Sequence, residues 1–342
     1  MAFSRHNVSD PKADAEVYPK TNSKETTRSM PAATMRVAIA GTGGLARAIA
    51  GCVHEETSHQ VVMLSRRQQP DLPAHYQVQQ VDYSDQESLK YALRGTDTVI
   101  STVTGASQIE LIKAAVLVNV RRFAPAEFEG PPHLRPQTEF LDRGKNNALL
   151  WLQHYQQHIQ STVFVCGVLY ERFQPGGLAA LAQSDLGLGC GIPNEGDYMM
   201  NLRTMSAKLP INNAANQPSV TICMTAVRDV GRFVTRALDW PGQWPPELRM
   251  VGERITVYAL SNLIQELKGQ IFHPCEIYNP ESLASALALP SLDHDVAEQL
   301  RLHHLLATAQ GRYDYEQYNL NTTFGDIRPE AFRAWVTRSW HL

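Results

Sequence analysis

A chain of 342 residues, 43% of them hydrophobic, can bury one large α/β core or a core with a smaller attached lobe. Its formal net charge of −3 leaves no basic excess to neutralise phosphates, which argues against nucleic-acid and membrane-surface partners. No apolar run reaches about 18 residues, so no membrane span is expected, and there is no pattern of a secretory leader.

Five cysteines, at 52, 166, 190, 223 and 275, are scattered without a CxxC pair. They read as reduced thiols of a cytoplasmic protein, each most simply a buried small hydrophobe. No metal site is expected.

Residues 1–34 are rich in Ser, Thr, Lys, Asp and Pro and carry only isolated apolar residues. Such a stretch cannot bury enough to order itself and reads as a disordered tail. Its acids, including Asp10, Asp14, Glu16 and Glu25, argue against a mitochondrial presequence.

Met35 to Ala40 is a short apolar run suited to a buried parallel strand. Gly41-Thr42-Gly43-Gly44-Leu45-Ala46 follows at once, and Ala46, Ile49, Ala50 and Val53 then recur at helical spacing. Glycines between a strand and a helix are what a dinucleotide fingerprint requires. The first permits a tight turn and the second lets backbone approach a pyrophosphate. The small Ala46 lets helix and strand pack closely. The helix N-terminus offers free N–H groups to the phosphates. A tight turn without a ligand is the plainer alternative.

The next strand, Val61 to Leu64, ends in Ser65-Arg66-Arg67. An NAD-specific fold carries an acid near this point for the ribose 2′-hydroxyl. Two arginines stand there instead, and guanidinium suits a 2′-phosphate. NADPH/NADP is therefore the expected cofactor, against the alternative of a solvated surface pair.

Strand Val78 to Val81 is followed by Asp82, placed near an adenine. Ser84-x-x-Glu87 and Ser107-x-x-Glu110 read as capping boxes of two helices. Thr98 to Val103 is the next strand and Val120 to Ala124 the fifth. Thr162 to Val165 is the sixth. This alternation means an α/β fold, a Rossmann-type doubly wound parallel sheet with a smaller C-terminal substrate lobe. The expected division is a tail at 1–34, an NADP-binding domain at 35–165, and a lobe at 166–342 that sends segments back to the sheet. Ligands lie outside the carboxyl ends of the strands. Thr102, Val103 and Thr104 should flank the cofactor, and Pro125 to Phe128 should line the reaction site.

Thr138 to Gln157 reads as a helix whose apolar residues include Leu141, Ala148, Leu149 and Leu152. Lys145 shares their stripe. A partly desolvated ammonium there has a lowered pKa and can exchange a proton, hold a carbonyl, or bind the nicotinamide ribose. The alternative is a lysine that snorkels at the helix edge. His154 and His158, four apart, read as a solvated face rather than a metal pair, as do His303 and His304. No Tyr-x-x-x-Lys occurs, so the usual short-chain dehydrogenase relay is missing.

The glycine loop, Arg66-Arg67, Arg122-Phe-Ala-Pro-Ala-Glu-Phe128 and Lys145 together resemble the NmrA-like and isoflavone-reductase-like proteins. So do Cys166 to Gly177, Thr225 to Gly231 and Val251 to Val257. The likeness covers roughly residues 35 to 285 and has the flavour of fungal NmrA-like proteins, many linked to secondary metabolism. It implies NADP(H) binding and a lysine, here Lys145, that assists catalysis in place of the tyrosine. Two departures stand out. The reductases read Pro-Ser-Glu-Phe where this chain has Pro125-Ala-Glu-Phe128, and they carry an asparagine where it has Gly167.

Past Phe173 the pattern loosens. Gly187 to Gly196 reads as a loop over the site. Phe128, Tyr170, Phe173 and Tyr198 form a candidate aromatic-lined cavity, although any one of them is more simply core. Asp229 opens a helix that should return to the sheet. Phe332, Trp335 and Val336 share a helical face that is either core or the cap of a homodimer. Three functions compete. They are an NADPH-dependent reductase of a small aromatic or polyketide-like metabolite, a non-redox isomerase, dehydratase or cyclase, and an NADP-sensing regulator.

Overall fold

Strands that are apolar on both faces can only sit inside a layered sheet, and the first half of the chain is built on that rule. A computed structural model describes residues 34–69, 72–136, 140–181, 192–211, 219–289, 292 and 294–342. Residues 1–33 of the expected tail lie outside these, as do Cys190 and parts of the segments 138–157 and 187–196.

In chain order come β1 (Arg36–Ala40), α1 (Gly44–Glu56), β2 (Gln60–Ser65), β3 (Gln77–Gln80) and α2 (Gln86–Leu93). They are followed by β4 (Thr98–Ser101), α3 (Ala106–Leu117), β5 (Arg122–Ala124), α4 (Lys145–His154) and β6 (Gln160–Ser161). The six strands run parallel in the order β3-β2-β1-β4-β5-β6, which is the doubly wound α/β sheet read from the sequence. Val37 to Ala40, Val62 to Leu64 and all of β4 are buried. The order reverses between β1 and β4, so the crevice for a ligand opens at their carboxyl ends.

Four local expectations need correction. The sixth strand of the sheet is β6, one step before the predicted run. The predicted run forms β7 (Val163–Val165), which pairs outside that sheet. The N-cap of α2 is Asp85, whose side chain accepts from Glu87 N–H, while the Ser84 hydroxyl donates to Asp82. Gly105, at φ 71°, heads α3 without a side-chain cap, so Ser107 lies inside the helix. Finally, α4 starts at Lys145 because Arg143 and Gly144 adopt positive φ (53° and 81°), and Leu141 lies before the helix.

The second half adds three small sheets. They draw on β8 (Val168–Leu169), β9 (Met200–Asn201), β10 (Ser206–Pro210), β11 (Thr221–Thr225), and, beyond α5 (Val227–Leu238), β12 (Glu247–Arg249) and β13 (Glu253–Thr256). After α6 (Val257–Lys268) comes β14 (Cys275–Tyr278), then α7 (Pro280–Leu287), α8 (Val296–Ala309), α9 (Asn319–Thr323) and α10 (Phe332–Trp340). The pairings are β7 with β12, β8-β11-β13, and β9-β10-β14. α5 packs against α1. A Cβ on its Gly231 would come within 2.9 Å of the Ala48 carbonyl oxygen and of Cys52 Sγ. Residues from Thr34 onward make one compact unit.

The Phe332, Trp335 and Val336 stripe of α10 is core: it packs with Tyr170 and Phe173. Arg122, part of the family-like segment, is a buried tie. Its guanidinium donates to the carbonyls of Leu238, Trp240 and Gly242 and lies over the Trp244 ring. Cys52, Cys166 and Cys223 are buried, but Cys275, on the edge strand β14, is exposed. Burial pushes the Cys166 and Cys223 thiols up, which disfavours the thiolate a nucleophile needs. No helix of the described residues is long and apolar enough to cross a membrane.

Candidate functional site

The exits of β4, β5 and β7 converge on one cavity of about 220 Å³, with the nucleotide loop at the end of β1 beside it. At the end of β1, Gly41 takes φ 108°, and its N–H donates to the Leu64 carbonyl. A Cβ there would meet Thr102 Oγ1 at 2.2 Å, so only glycine lets the two exits lie together. Thr102 is fixed in turn, because its N–H and its hydroxyl both donate to the Ala40 carbonyl. Arg47 braces the loop by donating to the Thr42 carbonyl at 2.8 Å. Gly43 occupies the N-cap of α1 with no side-chain cap, so no cap side chain takes up the first N–H groups of the helix. This cradle fits a dinucleotide pyrophosphate. The 3₁₀ turn Gly177–Leu181 lies against it, since a Cβ on Gly44 would come within 2.6 Å of Leu181 Cβ.

At the end of β2, Ser65 is buried and its Oγ accepts from Arg67 N–H and from Gln69. Arg66 and Arg67 are exposed beside it. The Asp82 carboxylate is held below the usual range by hydrogen bonds from Ser84.

The β5 exit carries a charge cluster that sequence reasoning missed. Gln108 of α3 accepts from Ala126 N–H at 2.7 Å and so fixes the turn. The Glu129 carbonyl accepts from Cys166 and Gly167 N–H, which ties this exit to that of β7. Its carboxylate Oε1 then takes three cations: Arg312 at 2.7 Å, Arg135 at 2.8 Å and Lys145 at 3.0 Å. Arg135 also grips Glu127 through two hydrogen bonds, and both of those side chains are fully buried. Burial raises the Glu129 carboxyl, but the charges of Lys145, Arg312 and Arg135 outweigh it and hold the group well below the usual carboxylate range.

Lys145 is 9% exposed and shares the inner stripe of α4 with Ala148 and Leu152. Between a desolvated and a snorkelling lysine, the structure gives it a half-buried counterion, Glu129. Asp142 sets its backbone, accepting at its main-chain carbonyl from Lys145 N–H and at its carboxylate from Gly144 and Asn146 N–H.

Of the residues singled out beforehand, Leu45, Thr102, Thr104, Phe128, Lys145 and Tyr198 line the cavity. Gly41 to Gly44, Ala46, Ser65 to Arg67 and Val103 stand along the neighbouring strand ends and the α1 terminus. Tyr170 and Phe173 do not line the cavity. The 3₁₀ turn Tyr170–Phe173 aims them at α10, where the Tyr170 hydroxyl donates to the Glu330 carbonyl. His304 is also corrected: it is buried and lines the cavity with Tyr313, because this face of α8 turns inward. His303 is half-buried against Phe140, whereas His154 and His158 are exposed. Among the described residues no group of three or more His, Cys, Asp or Glu could hold a metal ion. Tyr313 and Arg312 lie far along the chain with no motif to mark them. The alternating acids Glu127 and Glu129, directly after an apolar strand, were the one legible hint of the cluster.

Gly167 explains a departure from the reductases. It takes φ 68°, and a Cβ would meet the Cys223 carbonyl oxygen at 2.1 Å, so neighbouring backbone excludes an asparagine side chain.

Behind the cavity, Glu171 is buried and accepts from Val227 N–H at the head of α5 with both oxygens, at 3.0 and 3.1 Å. Burial pushes its carboxyl up to about 7, partly opposed by that N–H. A folded-state value above the ordinary 4.5 means stability that is complete below 4.5 and lost as pH rises through 7. Glu171→Gln keeps an acceptor and cannot ionise. Its stability relative to the parent should therefore rise by about 2–3 kcal/mol between pH 5 and 8 in urea unfolding. A difference that stays flat across that range would refute the assignment.

Residues 40–158 match a family model described as NAD(P)H-binding. Oxidoreductase BOA1 of Botryotinia fuckeliana is 27% identical over 264 residues, covering 69% of this chain and 77% of that protein. A crystal structure of isoflavone reductase is 16% identical with a TM-score of 0.67, covering 89% of this chain and 99% of that one. The structure of AtPrR2 with NADP+ and (+)pinoresinol is 17% identical with a TM-score of 0.66, covering 90% and 99%. The NAD(P)H-binding domain and the isoflavone-reductase-like fold expected from the sequence are borne out.

Proposed function

We propose that this NAD(P)H-binding chain, folded as the isoflavone-reductase-like proteins are, is an NADPH-dependent reductase of a small aromatic or polyketide-like metabolite. One observation carries the reading. The glycine loop's Leu45, the β4 exit and Lys145 face a single, mostly apolar-lined cavity, so a nicotinamide laid along the strand ends would meet a substrate beside the lysine. The naming of a relative as an oxidoreductase, and the NADP+ bound by AtPrR2, support it.

NADPH, when bound, supplies the hydride. The residues of the chain do the rest. Phe128, Leu141 and Val168 exclude water around the reacting carbon. Lys145 Nζ, held at 3.0 Å from Glu129, offers its remaining N–H donors to the carbonyl oxygen that gains negative charge. Glu129 is a positioning residue: as a persistent carboxylate it fixes the ammonium and is not a proton donor. The buried free thiols of Cys166 and Cys223 agree with a reducing, cytoplasmic setting.

The test is substrate-dependent loss of NADPH absorbance across a panel of aromatic and conjugated carbonyl compounds. A second reading, a non-redox isomerase, dehydratase or cyclase, is favoured by Ala126 and Gly167, which line the cavity without the hydroxyl and amide of the reductases. Product formed with NADPH unchanged would select it. The NADP preference is tested separately. Replacing both Arg66 and Arg67 by alanine should weaken NADPH at least about tenfold more than NADH, the cost of lost charge-assisted hydrogen bonds to a phosphate. Equal losses for the two cofactors would reject the assignment.

A further inference from the structure

Arg172 stands in the 3₁₀ turn Tyr170–Phe173, on the wall of the cavity formed by the second half of the chain. Its guanidinium carbon lies 5.3 Å from the centroid of the Tyr198 ring. Its Nη1 is sealed from solvent and has no hydrogen-bond partner among the described residues. A buried, charged N–H without an acceptor is costly, so such a group is retained where something else supplies the acceptor. The neighbouring carboxylate does not serve: Glu171 turns both oxygens to Val227 N–H.

The charge of the cavity points the same way. Among the described residues its lining carries one carboxylate, Glu129, against Arg143, Lys145 and Arg172. Glu129 is already held by Lys145, Arg135 and Arg312. Arg143 donates to Thr104 at 3.4 Å, on the side where the β4 exit faces the cofactor. Among the described residues, the cation of the cavity left with neither an ion pair nor a hydrogen bond is therefore Arg172, which lines it together with Val168, Leu178 and Tyr198. A pocket with apolar walls and an excess of one sign of charge concentrates ligands of the opposite sign.

We propose that Arg172 reads a carboxylate on the substrate, so that the substrate class is an organic acid with a ring-sized apolar body. The carboxylate meets the guanidinium where Arg172 lines the cavity, and the ring lies along the wall shared with Tyr198. This rests on the reductase reading only in taking the cavity as the substrate site, and its test measures binding rather than turnover. A chain that binds acids yet never consumes NADPH would sink the reductase reading and leave this one standing.

The experiment titrates the full chain, saturated with NADP+, with matched acids and primary amides: benzoate against benzamide, and 2-naphthoate against 2-naphthamide. Calorimetry should show the acid binding at least about tenfold tighter in one or both pairs, the size of a charge-assisted hydrogen bond. Arg172→Met keeps the length of the side chain and should shrink the preference to under about twofold, while Arg172→Lys keeps part of it. The NADP+ affinity of each variant serves as its fold control. Equal affinity for acid and amide in the parent, a preference that survives in Arg172→Met, or no measurable binding of either acid would each overturn the assignment.

Discussion

Lys145→Met is expected to lower kcat by about 10²–10⁴-fold at saturating substrate, the usual share of a positioned proton donor or charge stabiliser. The methionine fills the same stem on the inner face of α4, so Ala148 and Leu152 keep their packing. What disappears is the ammonium, and with it donors aimed at the developing oxyanion. The loss should fall mainly on kcat, because the interaction strengthens in the transition state. Glu129 and Arg312 remain paired at 2.7 Å, so the carboxylate is not orphaned and the fold should persist. Steady-state kinetics on the substrate found by the NADPH assay decides the matter. An unchanged kcat would remove Lys145 from the chemistry.

The largest effect on stability is expected from Arg135→Met, about 3–5 kcal/mol in urea unfolding. The guanidinium is fully buried and joins Glu127 at 2.7 and 2.9 Å to Glu129 at 2.8 Å. It also lies 3.3 Å from Asp142, whose carboxylate holds the start of α4. Removing it leaves the Glu127 carboxylate, with no exposure of its own, without its cation. The double variant Arg135→Met with Glu127→Gln should recover part of the loss, since a neutral amide costs less to bury than an unpaired charge. If the single variant were as stable as the parent, the cluster would not carry the structural weight its burial implies.

The part of this molecule that could be read from its sequence is the part whose signal is local. Buried parallel strands show themselves as unbroken apolar runs, so β1, β2 and β4 were legible, as was the turn that needs Gly41. Helix starts were less so. Asp85 and Ser84 are both good caps by type, and the choice went to Asp85 because Ser84 was already bound to Asp82. The start of α4 was obscured because Asp142 and a left-handed Gly144 open the helix without breaking the apolar stripe. Lys145 was found because a charge on that stripe is anomalous, but its counterion was not. Glu129 is sixteen residues away beyond another strand, and tertiary ties, the Gln108 side chain and the parallel bridge between Glu129 and Val165, bring that exit into place. Tyr170 and Phe173 were misplaced for the same reason: an aromatic after a strand faces a cavity or a core according to what packs on it, and α10 arrives from the far end of the chain.

That distance matters when the molecule is made. The third cation on Glu129 belongs to Arg312, which lies 183 residues away, and the Arg312 carbonyl oxygen sits 2.1 Å from where Gly130 would carry a Cβ. Every strand of the parallel sheet precedes residue 162, so its pairings can form before that contact is within reach. Closing so long a loop costs chain entropy that only prior order can offset, so the nucleotide cradle should assemble early and the reaction centre late.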